Sequence, residues 1–282
     1  MKDIQKVIKG IDKLPTLPLV VTKLTDLVTN PHTSASDIQN VITKDQALSA
    51  RVLKLVNSAF YGFSERISSI SHAIVILGFN TIKNIALSAS VFEMFDKEHG
   101  ESQLDKEGFW MHSIAVAGAS KLIARHLRLT TLEDIFVAGL LHDVGKIILD
   151  QFMHEEYRKV IDIVGERNIL IAEAEYEVLE LSHSQVGAYL ATNWKLPAAL
   201  VQMIGLHHKP ELAGDFAKHT FCVHLADILV RALEIGSGGD NRMPMISKSL
   251  WEEYGFDSDK IRMILDVLEE ELQDVENFVK GI

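Results

Sequence analysis

Apolar residues recur every three or four positions along most of this chain, the spacing expected of helices that pack one face against a core. The clearest stripes are Ile4, Val7, Ile8 and Ile11; Leu48, Val52, Leu55 and Val56; Ile114, Val116, Ala119, Leu122 and Ile123; and Ile261, Ile264, Leu265, Leu268 and Leu272. The strict apolar–polar alternation of strands is nearly absent. The pattern therefore predicts an all-α protein of roughly a dozen helices.

Two polar stretches interrupt this pattern and are interpreted as linkers. Residues 96–103 are polar and lack apolar periodicity, and residues 236–241 are rich in glycine. The first stretch predicts a boundary between an N-terminal helical lobe, residues 1–103, and a second lobe, residues 104–282.

Residues 73–83 also have the spacing of a helix-turn-helix, but the helix that would enter a DNA groove continues as an apolar run.

Charge and cysteine content narrow the classes of partner. Lys and Arg number 28 and Asp and Glu number 39, which gives a formal net charge of −11. An acidic protein repels the phosphate backbone, so nucleic acid is not expected as the main ligand. The single cysteine, Cys222, excludes an internal disulfide and favours a reducing cytoplasm. No uninterrupted apolar run approaches a membrane span, and no membrane partner is expected.

One adjacent pair, His142 and Asp143, stands in the apolar segment AGLLHDVGK of residues 138–146. Burying a carboxylate is costly unless its charge is compensated. A divalent metal compensates it economically, because it binds neutral imidazole and carboxylate together. A buried ion pair or a hydrogen-bonded pair without metal is the alternative for these two residues.

Further candidate ligands lie on both sides of this pair in the chain. They are His112, His183, His207, His208 and Asp227. Each has a structural alternative: a lone histidine is commonly a core or surface residue. The His207–His208 doublet could cap a helix C-terminus as a cation, and Asp227 could bond His224 one turn earlier. The ordered series His, His-Asp, His, His-His, Asp favours one shared site over separate explanations.

This series resembles that of the HD superfamily of metal-dependent phosphohydrolases, and nearly the whole chain resembles an HDOD domain, the HD-related output domain of bacterial signalling proteins. In the N-terminal third the resemblance rests on LPTLP at residues 14–18, DQALSARVLKLVNSAFYG at 45–62 and ISSISHAIVILG at 67–78. In the remainder it rests on the histidine segments and on WKLP at 194–197. The long N-terminal segments are specific, whereas a bare His-Asp dipeptide is not.

The resemblance implies an HD-type helical bundle with a di-metal site. The positions that match HD ligands are His112, His142, Asp143, His183, His207, His208 and Asp227. Two divalent cations are expected, and iron, manganese, zinc and nickel suit these ligands about equally. Many HDOD proteins lack part of the ligand set, whereas this chain contains all of it. It departs from the HD-GYP phosphodiesterases, because KPELAG at residues 209–214 contains no Gly-Tyr-Pro, which puts hydrolysis of cyclic di-GMP in doubt.

Two residues are assigned catalytic roles. Asp143 could bridge the two cations, and Lys146, one helical turn after His142, could stabilise developing charge on a phosphoryl group. The alternative for Lys146 is a solvated side chain. Even in an acidic protein, a pocket that holds two divalent cations would attract a small phosphorylated ligand.

Three functions remain open at this point. The first is a regulatory HDOD protein that binds metal and relays signals to partner proteins. The second is an active metal-dependent phosphohydrolase acting on a nucleotide or another phosphoester. The third is a metal-free helical scaffold. We favour a signalling HDOD protein with a di-metal site, and the sequence leaves turnover, substrate, partners, input signal and oligomeric state open.

Overall fold

The computed structural model describes residues 19–30, 32–57, 61, 63, 65–96 and 102–272, and every regular element in these residues is a helix. The prediction of an all-α fold is therefore confirmed. The stripe at residues 4–11, the motif at 14–18, parts of the motif at 45–62 and most of the predicted linker at 96–103 lie outside the described residues.

Described residues 19–96 form one compact unit. Its helices are α1 (Leu19–Thr29), α2 (Ala35–Ile42), α3 (Gln46–Val56) and α4 (Ile70–Asp96). Asp45 caps α3 by accepting a hydrogen bond from the Leu48 backbone at 3.0 Å. The apolar stripe predicted on this helix is buried.

Described residues 102–270 form the second compact unit. Its helices are α5 (Lys106–His126), α6 (Leu132–Leu141), α7 (Val144–Phe152), α8 (His154–Arg167), α9 (Ile171–Leu179), α10 (His183–Asn193), α11 (Ala198–Leu206), α12 (Ala217–Ala232), α13 (Lys248–Glu253) and α14 (Ser258–Leu272), with short 3-10 turns at Pro210–Leu212 and Gly214–Phe216. Division of the protein into domains at residues 1–103 and 104–282 stays a prediction.

Helix α4 is interrupted at Gly78, whose φ of 80° and ψ of 168° are not helical. The segment Ile70–Val91 is long and apolar enough to qualify as a membrane span, but 61 % of its most apolar window is buried inside the protein, and a core helix passes the same test. Beyond the break, Ile82 and Ile85 are also buried. The half of the segment that a DNA reader would expose is therefore largely core.

Close helix packing in the second unit depends on glycines. Gly145 on α7 lies against α10, where a Cβ atom would overlap the backbone carbonyl of His183. Gly139 on α6 lies against α5, where a Cβ atom would come within 2.8 Å of the Ala117 Cα. These contacts let the backbones approach until side chains at the helix ends converge on one point.

We expect Gly145→Ala to lower the free energy of unfolding by about 1–3 kcal/mol, because the added methyl must push α7 away from α10. Gly165→Ala on α8 is the matched control, since nothing lies within 4 Å of the position that its methyl group would occupy. Replacing a glycine inside a helix there should stabilise the protein by up to about 1 kcal/mol. Urea unfolding measures both effects, and equal stability of the two variants would contradict the close approach.

Candidate metal centre

The structure brings all seven predicted ligand residues to one place in the second unit. They form three overlapping groups of three, and within each group the ligand atoms lie within 4.8 Å of one another. Group A consists of His112 on α5, His142 at the end of α6 and Asp227 on α12; group B consists of His183 on α10 and of His207 and His208 at the end of α11. The third group, His142, Asp143 and His207, overlaps both, so Asp143 lies between group A and group B.

The two carboxylate oxygens of Asp143 face different groups. Oδ2 lies 3.3 Å from His142 Nε2 and 3.9 Å from His112 Nε2, both in group A. Oδ1 lies 3.2 Å from His183 Nε2 and 3.8 Å from His207 Nε2, both in group B. One side chain therefore joins the two groups, as a ligand shared by two cations would.

His142 and His207 follow the last residues of α6 and α11 and are positioned in the same way. His142 Nδ1 lies 2.6 Å from the Gly139 carbonyl, and His207 Nδ1 lies 2.8 Å from the Ile204 carbonyl. Each ring donates through Nδ1 to the helix end, which leaves Nε2 without a proton and able to bind metal. His207 can therefore bond the end of α11 through Nδ1 and still bind a metal through Nε2.

His183 is positioned by Glu175, a residue that the sequence analysis did not identify. Glu175 Oε2 accepts hydrogen bonds from the His183 backbone and from His183 Nδ1, both at 2.7 Å. Glu175 is fully buried, and Tyr157 also donates to it. On the other side of the ring, His183 Nε2 lies 3.0 Å from His208 Nε2. The glutamate thus directs His183 Nε2 towards the rest of group B.

Each carboxylate of the centre is paired with a cationic side chain. Lys146 Nζ donates to Asp143 Oδ2 at 2.5 Å and to the Gly238 carbonyl at 2.7 Å. It is completely buried, so the alternative of a solvated lysine is wrong. Arg231 Nε donates to Asp227 Oδ1 at 2.7 Å. The sequence carried a signal for this second pair, because Asp and Arg four residues apart share a helix face.

His224 does not bind Asp227, as one structural alternative suggested. Its Nδ1 donates to the His207 carbonyl at 2.8 Å, and its Nε2 accepts from the Ser247 backbone at 3.0 Å. Asp227 Oδ1 instead lies 3.1 Å from His112 Nε2. His224 thus supports the backbone of a candidate ligand, and Asp227 faces the centre.

The electrostatics favour charged carboxylates beside a neutral His207–His208 doublet, whereas Glu175 and Asp143 raise the pKa of His183 against the effect of its burial. Burial would raise the pKa of Asp143, but His142, Lys146 and His183 hold that pKa well below its usual value. Burial, reinforced by repulsion from neighbouring histidines, lowers the pKa of His207 and His208 well below the usual value. The doublet is therefore neutral and does not cap α11 as a cation.

Several buried ligand atoms have no hydrogen-bond partner in the described protein. They include His142 Nε2, His207 Nε2 and Asp143 Oδ1, which all belong to this centre. Buried polar atoms are normally satisfied. Unsatisfied imidazole nitrogens beside a carboxylate oxygen are the donors that divalent transition metals prefer, so the residues present fit the predicted cations.

Residues 236–241, predicted to be a flexible linker, pack against the centre. Ser237 N donates to the Gly108 carbonyl at 2.8 Å, and Asp240 accepts from Arg231 at 3.0 Å. Gly236 has a φ of +64° and approaches His112 so closely that a Cβ atom would overlap its backbone. Glycine here permits close contact rather than mobility. A cavity of about 610 Å³ beside this loop is lined by His112, Arg231 and several residues of 232–243.

Comparison with known proteins gives the following relatives. An HDOD domain protein of unknown function from Geobacter sulfurreducens has a TM-score of 0.79 and 26 % identity, over 98 % of each chain. A structure from Shewanella amazonensis SB2B, provisionally named a phosphohydrolase, shares the fold with a TM-score of 0.72 at 22 % identity, over 98 % of this chain and 96 % of that one.

An uncharacterized protein of Treponema pallidum is 29 % identical over 257 residues, which are 89 % of this chain and 48 % of that protein. The chain thus spans about half, or less, of the length of the curated relatives it matches. The HDOD domain itself matches residues 14–210. This match covers more than half of the chain and includes most of the residues of the candidate centre, and the chain therefore belongs to the HDOD family.

Proposed function

We propose that this chain is a bacterial signalling HDOD protein that binds two divalent cations and hydrolyses a phosphoester at the centre they form. The observation that carries the proposal is the position of Asp143, whose two oxygens face group A and group B separately. A cytoplasmic location belongs to the same proposal and rests on the single, buried Cys222.

Two sets of residues would each bind one cation. His112, His142 and Asp227 would hold one, and His183, His207 and His208 would hold the other, with one oxygen of Asp143 contributed to each. The cations would supply Lewis-acid activation of a phosphoryl group and of water. The helix-end carbonyls and Glu175 keep His142, His207 and His183 in the orientation that binding requires.

The cavity beside His112 is the proposed entry for the substrate. Its volume of about 610 Å³ is in the usual range for small-molecule sites. Arg231 contributes a cationic group to its lining, which suits a phosphorylated ligand. Asp143 would be the ligand shared by the two cations. Lys146 would stabilise the negative charge that develops on the phosphoryl group.

A second candidate is a metal-binding signalling module without turnover. It is favoured by the burial of the centre, because His112, His142, Asp143, His183, His207 and Asp227 are each at most 2 % exposed. The loop at residues 236–241 also packs against α5 beside His112. In this second candidate the centre would stabilise a surface that a partner protein recognises.

Metal binding is expected to stabilise the protein. At a free metal concentration 100 times the Kd, binding to the folded state alone adds about 2.7 kcal/mol to the free energy of unfolding. Chelation should therefore lower the thermal midpoint, and adding back Mn²⁺ or Zn²⁺ should restore it. The double variant His142→Ala/Asp143→Ala should lose this response, and His72→Ala, an exposed histidine of the other unit, should keep it. Full metal content in the double variant would contradict the ligand assignment.

Turnover is tested with a panel of cyclic and linear nucleotides and other phosphoesters, using protein loaded in turn with iron, manganese, zinc and nickel. We expect hydrolysis of at least one substrate. Asp143→Asn should reduce it by about 100-fold or more, because the shared ligand loses its charge. Asp162→Asn, an exposed residue of α8, is the control that should leave the rate unchanged. Metal binding without hydrolysis under every condition would exclude the enzymatic function and favour the metal-binding signalling module.

A further inference from the structure

Arg231 on α12 is shared by two carboxylates, one in the candidate centre and one in the neighbouring loop. Its Nε donates to Asp227 Oδ1 at 2.7 Å, and its Nη1 donates to Asp240 Oδ1 at 3.0 Å. All three side chains are at most 6 % exposed, so solvent screens their charges little. Because arginine stays protonated in proteins, the three side chains together carry one net negative charge.

Without a second carboxylate, the charge of Arg231 would be balanced by Asp227 alone. The Asp227 oxygen that bonds Arg231 also lies 3.1 Å from His112 Nε2, within group A. A carboxylate neutralised by a buried cation is a weak metal ligand, because that cation also repels the incoming metal ion. Asp240 adds a second negative charge beside the same guanidinium group, so a net negative charge remains for a metal ion bound by Asp227.

The glycine-rich loop beside the centre fixes Asp240 in this position. Asp240 Oδ1 also accepts a hydrogen bond from the Arg242 backbone at 2.9 Å, and Oδ2 accepts one from the backbone of Ile171, the first residue of α9, at 3.1 Å. Gly238 lies so close to the arginine that a Cβ atom there would come within 2.6 Å of Arg231 Nη2. Backbone groups therefore hold both oxygens of Asp240, and the loop packs directly against the guanidinium group.

We propose that Asp240 is a positioning residue of the metal centre, which shares the charge of Arg231 and thereby keeps Asp227 available as a ligand. This inference rests on the proposed di-metal centre and adds to it a residue outside the seven candidate ligands. The competing explanation is a purely structural role, because Asp240 also bonds the start of α9, the helix that carries Glu175. The two explanations make opposite predictions for a variant that lacks the charges of both Asp240 and Arg231.

Asp240→Asn removes the second negative charge and retains an oxygen that can accept from Arg231. We expect the Kd of at least one bound Mn²⁺ to rise about 10- to 100-fold, the usual effect of losing a residue that supports a metal ligand. The electron paramagnetic resonance signal of free Mn²⁺, followed while the metal-free full chain is titrated, gives the Kd values. Unchanged Kd values in folded Asp240→Asn would overturn the inference.

Glu133→Gln is the matched control for this titration. Glu133 is also a carboxylate paired with a buried cationic side chain, since it lies 2.9 Å from Lys121 Nζ, but this pair is outside the centre. The Kd values for Mn²⁺ should therefore stay at those of the wild-type protein. A rise equal to that in Asp240→Asn would show that loss of any such ion pair weakens metal binding, and would contradict a specific role for Asp240.

The double variant Asp240→Asn/Arg231→Gln separates charge sharing from a structural role. It removes one charge of each sign, so Asp227 keeps its negative charge, and the raised Kd should fall back about 10-fold relative to Asp240→Asn. A purely structural role predicts no such recovery, because the asparagine amide cannot replace both carboxylate acceptors in either variant. Binding as weak as in Asp240→Asn, or weaker, would therefore contradict charge sharing.

Arg231→Gln alone provides a test that does not depend on the folding of Asp240→Asn. Loss of the arginine charge should lower the Kd of one bound Mn²⁺ about 10-fold, because Asp227 and Asp240 then carry two uncompensated negative charges. Unchanged or weaker binding in this variant would also contradict charge sharing. Wild-type protein that binds no Mn²⁺ and no other divalent cation would instead exclude the di-metal centre on which the inference rests.

Discussion

The carboxylate of Asp143 is the constraint around which the second unit is arranged. A buried charge is tolerated only when other groups compensate it. Here Lys146 bonds the carboxylate, and imidazoles of four separate segments surround it. The close contact of α7 with α10 at Gly145 brings Asp143 and His183 together. The helix packing and the electrostatics of the centre therefore depend on each other.

The sequence allowed the helical fold and the seven candidate ligands to be predicted, because both leave local signals. Apolar stripes repeat with the helical period, and the histidines and aspartates have residue types and an order that resemble a known family. Glu175 left no such signal, since Glu173, Glu175 and Glu177 alternate on one short helix and only the middle one is buried. Which glutamate faces inward depends on how α9 packs in the tertiary structure.

Two local interpretations changed for the same reason. Residues 236–241 have the composition of a flexible linker, yet glycine there lets the backbone lie directly against α5 and Lys146. His142 and Asp143 were interpreted only as part of an apolar segment, but they lie at the junction of α6 and α7. A helix end offers unsatisfied carbonyl groups, and the imidazole of His142 bonds one of them. Composition alone does not predict either arrangement, because it carries no information on what each segment contacts.

The contrast between His224 and the candidate ligands supports a bound cation over a structural cluster. His224 is as buried as its neighbours, and both of its ring nitrogens have hydrogen-bond partners. His142 and His207 form hydrogen bonds to the protein through Nδ1 only. The Nε2 atom of His142 faces Asp143 Oδ2, and the Nε2 atom of His207 faces Asp143 Oδ1. A core histidine gains stability from satisfying both nitrogens. Unsatisfied imidazole nitrogens around one carboxylate lower the stability of the metal-free fold. A cation that binds several of them at once offsets this loss.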